Sequence, residues 1–409
     1  MMKRVTYPLD LSALAYPMMR TRRTQSNFHF TAELNADVDP QALEQSLADI
    51  LLRYPIFKTK VVSTFFWHAL REQDAPLVVK QNERPPLLPF RKEDTNGYPF
   101  RLAYSGREIV LEIFHAVTDG NVGALFMTDL LTRYAEILDG AAESSLPCRA
   151  LIAEDAFLRY GKKKKLCDIS LKNYNGASVY AIGERGKYRD YPELLSQSIP
   201  LEELKSVAKS HGATVTEYVA SCYVTALLEG EPLPLKKDVC LFIPVDLRRF
   251  FPSETMQNFV CFERIYLKKG ENDLSFDHLL SVVREEFASK VTKQNMQEHV
   301  DDVRRCFTLP LLKGIPLFIK QPCFKFFKTV MNKVRQTAIL SNIGTITLPE
   351  RAAAHVKNVR FFLNIGKNAP MNVAIATYNG VCNIDVTNGL EGRDIPSRFF
   401  ALLTTQCKK

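Results

Sequence analysis

Hydrophobic and polar positions along this chain form strand-like segments that alternate with segments of helical spacing. Residues 28–34 alternate as in a strand, whereas residues 40–53 place leucine and isoleucine on one face of a helix. The same mixture recurs after residue 198, where the pattern predicts helices over 200–228 and 275–294 and strands over 239–245, 258–267, 373–378 and 381–387. The pattern predicts an α/β chain whose two halves have similar contents.

The segment around residue 115 is where residue types and predicted structure both point to chemistry. A buried strand is predicted over 107–114 and a helix over 121–138, so His115 lies at the carboxyl end of the strand. Asp119-Gly120 ends the turn between them, and glycine commonly supplies a positive φ in such a pair.

His115 has four interpretations at this stage. A histidine at a strand end is most often structural. A metal site is disfavoured because residues four apart share a face only in a helix, and no Cys-x-x-Cys or His-x-x-x-His motif is present to complete a ligand set. A serine nucleophile lacks its usual Gly-x-Ser-x-Gly turn. The remaining interpretation is a general base, because a neutral imidazole can take a proton from an alcohol or amine. Asp119 would then orient the loop.

Composition limits the class of protein without identifying it. At 409 residues the chain is long enough for two domains, and 46% hydrophobic with 24% charged residues is typical of a globular protein. A net charge of +9 permits an anionic ligand but does not require nucleic acid. Nine cysteines without metal or disulfide spacing indicate a reducing cytoplasm, and we expect neither a signal peptide nor a transmembrane segment.

Three motifs together resemble a known superfamily. Residues 115–120 (His-Ala-Val-Thr-Asp-Gly) match the His-x-x-x-Asp-Gly motif of chloramphenicol acetyltransferase-like enzymes, which include condensation domains and alcohol acetyltransferases. Residues 244–253, followed by Asn258-Phe259, are similar to the Pro-Val-Asn-Leu-Arg…Asn-Phe segment of that group. Residues 340–344 (Leu-Ser-Asn-Ile-Gly) are similar to its Ser-Asn-hydrophobic-Gly strand. The nearest group is the bacterial alcohol acetyltransferase-like proteins.

The resemblance implies an architecture. Two chloramphenicol acetyltransferase-like subdomains, each an α+β two-layer sandwich, would form a V with an active-site tunnel between them. We place the N-terminal subdomain at residues 1–185, ending in an irregular connection, and the C-terminal subdomain at 186–409.

The resemblance also implies residue roles. His115 would be the general base, Asp119 would form a salt bridge to Arg248, and Gly120 would keep the turn tight. A solvated surface position is the alternative for Arg248. The donors for a tetrahedral oxyanion would come from Asn258, Ser341 or Asn342, although Asn258 is equally well explained as a cap or turn residue. No metal is implied.

Two departures from the family patterns narrow the resemblance. Condensation domains usually carry a second histidine just before the catalytic one, where this chain has Phe114. Plant BAHD acyltransferases carry Asp-Phe-Gly-Trp-Gly in their C-terminal third, whereas the single tryptophan here is Trp67. A free-standing O-acyltransferase is therefore the best match.

The expected reaction moves an acyl group from a thioester to a small-molecule or lipid alcohol, or to an amine. Acyl-CoA is the expected donor and co-substrate, with an acyl carrier protein as the other possibility, and no tightly bound cofactor is expected.

The lysine run 162–165 would meet CoA phosphates or a carrier protein, or would simply be solvated. Residues 315–327 are basic and aromatic and suggest either membrane contact or a core helix. The alternatives in function are a catalytically silent protein that binds a ligand or carrier, and a carrier-dependent condensation enzyme.

Overall fold

The structure is a computed structural model that describes residues 4–20, 26–147, 154–163, 179–182, 187–330, 336–366 and 369–407, with only the backbone described at 325–330 and 406–407. The strands are β1 (Thr6–Pro8), β2 (Asn27–Leu34), β3 (Thr59–Ser63), β4 (His68–Glu72), β5 (Val79–Gln81), β6 (Phe100–Ser105), β7 (Glu108–Phe114), β8 (Tyr188–Pro200), β9 (Val239–Asp246), β10 (Val260–Leu267), β11 (Ala338–Ile346), β12 (Val356–Leu363), β13 (Met371–Tyr378) and β14 (Val381–Leu390). The helices are α1 (Ala15–Met19), α2 (Pro40–Arg53), α3 (Lys92–Thr95), α4 (Gly120–Leu138), α5 (Ala156–Tyr160), α6 (Leu201–Ser210), α7 (Val215–Leu228), α8 (Phe276–Lys290), α9 (Lys293–Thr308), α10 (Pro310–Gly314), α11 (Leu317–Val330), α12 (Glu350–His355) and α13 (Asp394–Cys407).

A five-stranded sheet in the order β12-β2-β7-β6-β5 organises the N-terminal half. β2 and β7 pair antiparallel with Phe28 opposite Ile113, and both strands are buried over nearly their whole length. α2 packs on α4, and the two helices bury their apolar faces in the same core as the sheet. The strand leading to residue 115 is therefore rigidly held.

A six-stranded sheet in the order β10-β9-β11-β13-β14-β8 organises the C-terminal half. α7 packs against α8 and α13, and their apolar side chains form a second core with this sheet. The hairpin between β13 and β14 turns at Asn379-Gly380, where both residues have positive φ, as the sequence predicts for this pair.

One C-terminal strand belongs to the N-terminal sheet. β12 pairs antiparallel with β2, so the two halves share a continuous hydrogen-bonded ladder. A small sheet, β1-β4-β3, joins Thr6–Pro8 to the β3–β4 hairpin. The predicted boundary between residues 185 and 186 lies outside the described residues.

The α/β class with two-layer packing is confirmed, but several elements differ from the sequence prediction. β11 runs through residues 341–344, with a register shift against β13 between Asn342 and Thr345. The helix predicted over 275–294 ends at Lys290, and α9 begins after Thr292, whose hydroxyl accepts from Asn295 N. Part of the irregular connection and of the lysine run, residues 164–178, lies outside the described residues.

Candidate active site

His115 follows the last residue of β7, and its backbone is fixed in the sheet. His115 N donates to Ser26 O at 2.7 Å, which continues the β2–β7 ladder by one residue. Tyr16 of α1 stacks on the imidazole with ring centroids 4.6 Å apart, and Phe28 of β2 meets it edge-on at 5.3 Å. The imidazole is therefore held between two aromatic rings while part of its surface stays exposed.

Asp119 is the N-cap of α4, and its carboxylate joins three parts of the chain. Its Oδ1 accepts from Val122 N at 3.2 Å in the first turn of the helix. Its Oδ2 accepts from Arg248 Nη1 at 2.8 Å and from Phe259 N at 3.0 Å. The expected pair between Asp119 and Arg248 is thus present, and the aspartate side chain is almost completely buried.

Arg248 extends this link into the segment before β10. Its Nη2 donates to the carbonyl oxygens of Thr255 and Gln257, at 3.0 and 2.8 Å, while Nη1 also reaches Asp246 at 3.2 Å. A planar guanidinium suits this arrangement because its donors lie in a fixed fork. The guanidinium therefore fixes residues 255–259 against the His115 turn.

Asn258 determines the tautomer of His115. Its Nδ2 donates to Asp10 Oδ2 at 3.1 Å and to His115 O at 3.0 Å, so its Oδ1 must be the atom that faces His115 Nδ1 at 2.8 Å. A carbonyl oxygen only accepts, so Nδ1 carries the proton and Nε2 has a free lone pair. Both amide hydrogens of Asn258 are engaged, which leaves it no donor for the oxyanion expected from the sequence.

Asp10 anchors the asparagine and was missed by the sequence analysis. Its Oδ2 accepts from both the backbone N and Nδ2 of Asn258, and its Oδ1 accepts from Ser12 Oγ at 2.6 Å and Ala13 N at 2.8 Å. The pKa of Asp10 is raised to about 6: burial raises it most, the charge of Asp155 also raises it, and the hydrogen bonds from Ser12, Ala13 and Asn258 lower it. Nothing in the local sequence marks Asp10, because its partner is 248 residues away.

The electrostatics favour a neutral imidazole. Desolvation by the surrounding atoms lowers the pKa of His115, although the charge of Asp119 and the hydrogen bond to Asn258 oppose this effect. A neutral ring with its free lone pair on Nε2 is the form that can accept a proton.

Gly120 is at the position that the motif predicts, but a positive φ does not explain why a glycine is needed there. It is the first residue of α4, and its φ lies outside the left-handed region. A Cβ at this position would lie 3.4 Å from side-chain carbons of both Ile343 and Phe361. Gly120 therefore permits a close approach between α4 and its neighbours β11 and β12.

Ile343 of the third motif contacts the start of α4 at Gly120. The two polar residues before it, Ser341 and Asn342, lie on opposite sides of β11. Asn342 Nδ2 donates to Thr216 Oγ1 of α7, and its Oδ1 accepts from Gly344 N. Ser341 is buried and pairs with Ala374, whose side chain belongs to the N-terminal core together with Ile343. Ser341 is therefore on the His115 side of β11, whereas Asn342 is directed to the C-terminal helices.

Two cavities lie away from this site. One of about 10 Å³ is lined by apolar residues of the C-terminal core such as Val224 and Leu279, and a surface groove of about 720 Å³ is bordered by Thr214 and Arg284. Neither is lined by His115. In the part of the chain that the structure describes, no three His, Cys, Asp or Glu side chains are grouped as metal ligands.

Comparison with solved structures identifies the fold. No family model and no curated protein matches the sequence. Polyketide synthase associated protein 5 from Mycobacterium tuberculosis matches with 15% identity and a TM-score of 0.67, over 98% of this chain and 99% of that one. The trichothecene 15-O-acetyltransferase TRI3 from Fusarium sporotrichioides matches with 12% identity and a TM-score of 0.62, over 99% and 95%.

A condensation domain gives a third match. The starter condensation domain of rhizomide synthetase, solved with C8-CoA and Leu-SNAC, has 10% identity and a TM-score of 0.62, over 99% of this chain and 95% of that one. Since the coverage is nearly complete in each case, the whole chain has the fold that it shares with an O-acetyltransferase and a condensation domain, and this is the fold that the motif resemblance implies. At these identities the likeness establishes the fold alone.

Proposed function

We propose that the protein is an acyltransferase that moves an acyl group from a thioester to a hydroxyl acceptor, with His115 as general base. The observation that carries this proposal is the 2.8 Å contact between His115 Nδ1 and Asn258 Oδ1, which leaves Nε2 unprotonated. A base needs that free lone pair and a pKa low enough to stay neutral at working pH. The lowered pKa of His115 supplies the second condition.

The proposed reaction needs no covalent enzyme intermediate. Nε2 of His115 takes the hydroxyl proton as the acceptor oxygen bonds to the thioester carbonyl carbon. The tetrahedral intermediate then expels the thiolate as the carbon–sulfur bond breaks. The proton on Nε2 passes to the thiolate, so an ester and a thiol leave and the imidazole is neutral again.

Other residues of the site have supporting roles in this proposal. Asp119 and Arg248 hold the loop in place, and Asn258 and Asp10 position the imidazole. We assign to the Ser341 hydroxyl the hydrogen bond that stabilises the tetrahedral oxyanion, because Ser341 lies on the His115 side of β11. Such a donor is worth about 10²–10³-fold in rate in other enzymes.

We propose acyl-CoA as the donor. A structural neighbour was solved with C8-CoA, and the net charge of +9 suits a polyanionic co-substrate. The O-acetyltransferase among the neighbours supports an alcohol as the acceptor. In this proposal the site lies in a tunnel between residues 1–185 and 186–409, which donor and acceptor enter from opposite mouths.

Acceptor-dependent thiol release tests the proposed class of function. The purified chain is incubated with acetyl-CoA or octanoyl-CoA and a panel of alcohols and amines, and acylated products are identified by mass spectrometry. We expect CoA release that depends on both enzyme and acceptor, with a product heavier by one acyl group. Saturable acyl-CoA binding without any product would instead favour a catalytically silent binding protein.

A further inference from the structure

The strongest exposed apolar feature is formed by the tip of the β3–β4 hairpin and the start of α11. Phe65 and Phe66 at the tip, Leu311 of α10, and Phe318 and Ile319 of α11 are all exposed, with Phe65 at 65%, Phe318 at 69% and Leu311 at 79%. We call Phe65, Phe66, Phe318 and Ile319 the aromatic surface. Soluble proteins seldom group large apolar side chains in this way without an interaction that uses them.

The hairpin and the helix are fixed to each other, so the exposed rings share one rigid support. Leu317 N donates to Phe65 O at 2.8 Å, and Lys320 Nζ donates to Phe66 O at 2.8 Å. The Lys320 ammonium also lies 3.2 Å from the centroid of the Trp67 ring. These contacts anchor the backbone beneath Phe65 and Phe66 while leaving both rings in solvent.

The sequence around the aromatic surface is strongly cationic. Residues 303–349 contain eight lysines and arginines and no aspartate or glutamate, although the whole chain has 45 acidic residues. Residues 55–71 of the hairpin likewise contain no acidic residue. Aromatic and aliphatic side chains next to basic ones are the chemistry of a segment that lies in the interface of an anionic membrane.

We propose that the aromatic surface binds the interface of a membrane containing anionic lipid, with its rings in the headgroup region and the exposed Lys313 close to lipid phosphates. α11 has 14 residues, too few to span a bilayer, which takes about 20, so it lies along the membrane. No helix in the described part of the chain is long and apolar enough to cross one. α11 also packs on α1, whose Tyr16 stacks on the His115 ring.

Vesicle co-sedimentation tests this proposal. The full chain is mixed with vesicles of phosphatidylcholine alone, or of phosphatidylcholine with phosphatidylglycerol. We expect sedimentation with the anionic vesicles only, weakened by salt because the attraction is electrostatic. The double variant Phe65→Ser/Phe318→Ser should lose at least about tenfold in partitioning, because it removes two aromatic side chains that leave water when the protein binds the membrane.

Leu52→Ser is the matched control, because Leu52 of α2 is also 69% exposed but lies outside the aromatic surface. This variant should bind anionic vesicles like the parent, and thermal melts should show all three proteins folded. The proposal is overturned if the parent does not sediment with anionic vesicles, or if the double variant binds as well as the parent. It is also overturned if the double substitution abolishes self-association, measured by light scattering, while vesicle binding is unchanged.

Discussion

At the residue scale, the chemistry depends on which nitrogen of His115 carries the proton. Two hydrogen bonds, Asn258 to Asp10 and His115 to Asn258, determine the protonated nitrogen. The Asp10 carboxylate orients the Asn258 amide, and the amide oxygen requires a proton on His115 Nδ1. Asp10 is therefore a positioning residue that acts through Asn258. Its ionised form is important, because each of its bonding partners is a donor.

The pH dependence of acyl transfer tests the role of Asp10. Its pKa is raised to about 6, so it is ionised at neutral pH and becomes protonated as the pH falls through 6. The pKa of His115 is lowered, so this imidazole becomes protonated, and unable to act as a base, only at a more acidic pH than an ordinary histidine. We therefore expect kcat/KM of the parent to fall below about pH 6, and the Asp10→Asn variant to be less active at neutral pH without this inflection.

Ser12→Ala provides the matched control. It removes the hydrogen bond that lowers the pKa of Asp10 but leaves the contact with Asn258 intact, so the inflection should move to higher pH. An Asp10→Asn variant with the same pH profile as the parent would contradict the assignment.

The sequence alone marks some of these residues as part of the site but not others. His115, Asp119 and Arg248 could be predicted through the resemblance, because each lies in a segment that matches a motif of the superfamily. Asp10 could not, since its importance arises from a contact with Asn258 that only the fold creates. Asn258 was predicted as a site residue, but its role depends on acceptors that no local pattern reveals.

At the element scale, the site depends on how closely α4 approaches β2. A Cβ on Gly123 would lie 2.6 Å from Phe28 Cε2 and 3.1 Å from Phe30 Cε2. Phe28 in turn contacts the His115 ring. Gly123 therefore sets the distance at which the helix packs on the strand that supports the imidazole.

Gly123→Ala should move Phe28 and disturb the site. We expect a loss of about 1–3 kcal/mol in unfolding free energy, typical of an overpacked core, together with reduced kcat. Gly314→Ala in α10 is the control, because a Cβ there meets nothing within 4 Å and φ is not positive. Chemical denaturation measures both variants, and equal stability of Gly123→Ala and parent would refute the packing argument.

The elements also show where pattern reading succeeds. α2 has the predicted bounds, because Pro40 starts it, Asp39 caps it and its apolar positions have a clear period. β8 was missed because most of its residues are exposed or half-buried, so its hydrophobic alternation is weak. The helix predicted over 275–294 runs past the end of α8 at Lys290, and nearly all of α9 lies beyond the predicted segment.

At the scale of the whole molecule, the Asp119–Arg248 pair joins segments 129 residues apart. It works with the β2–β12 ladder, through which a C-terminal strand completes the N-terminal sheet. The sequence predicted the fold class and, through the resemblance, this pair. It could not predict that β12, which follows β11 in the C-terminal half, pairs with β2 in the N-terminal sheet. Strand partners are chosen by tertiary packing, which a local pattern does not contain.

Asp119→Asn should destabilise the whole fold. The substitution leaves Arg248 with a weakened partner in a buried position, which costs about 3 kcal/mol in unfolding free energy. Asp37→Asn is the control, because the Asp37–Arg107 pair is exposed and such pairs contribute about 0–1 kcal/mol. Denaturant midpoints for the two variants measure the difference, and an equally small effect at both positions would mean that the buried pair does not hold the turn.

The most direct test of the proposed function is the rate of acyl transfer by His115→Ala compared with the parent, using the same acyl-CoA and an acceptor that gives product. If Nε2 of His115 removes the acceptor proton, the rate should fall by about 10²–10⁴-fold, the usual contribution of a general base. Acyl-CoA binding and the melting temperature should stay close to those of the parent. An unchanged rate in the folded variant would remove His115 from this role and contradict the proposed mechanism.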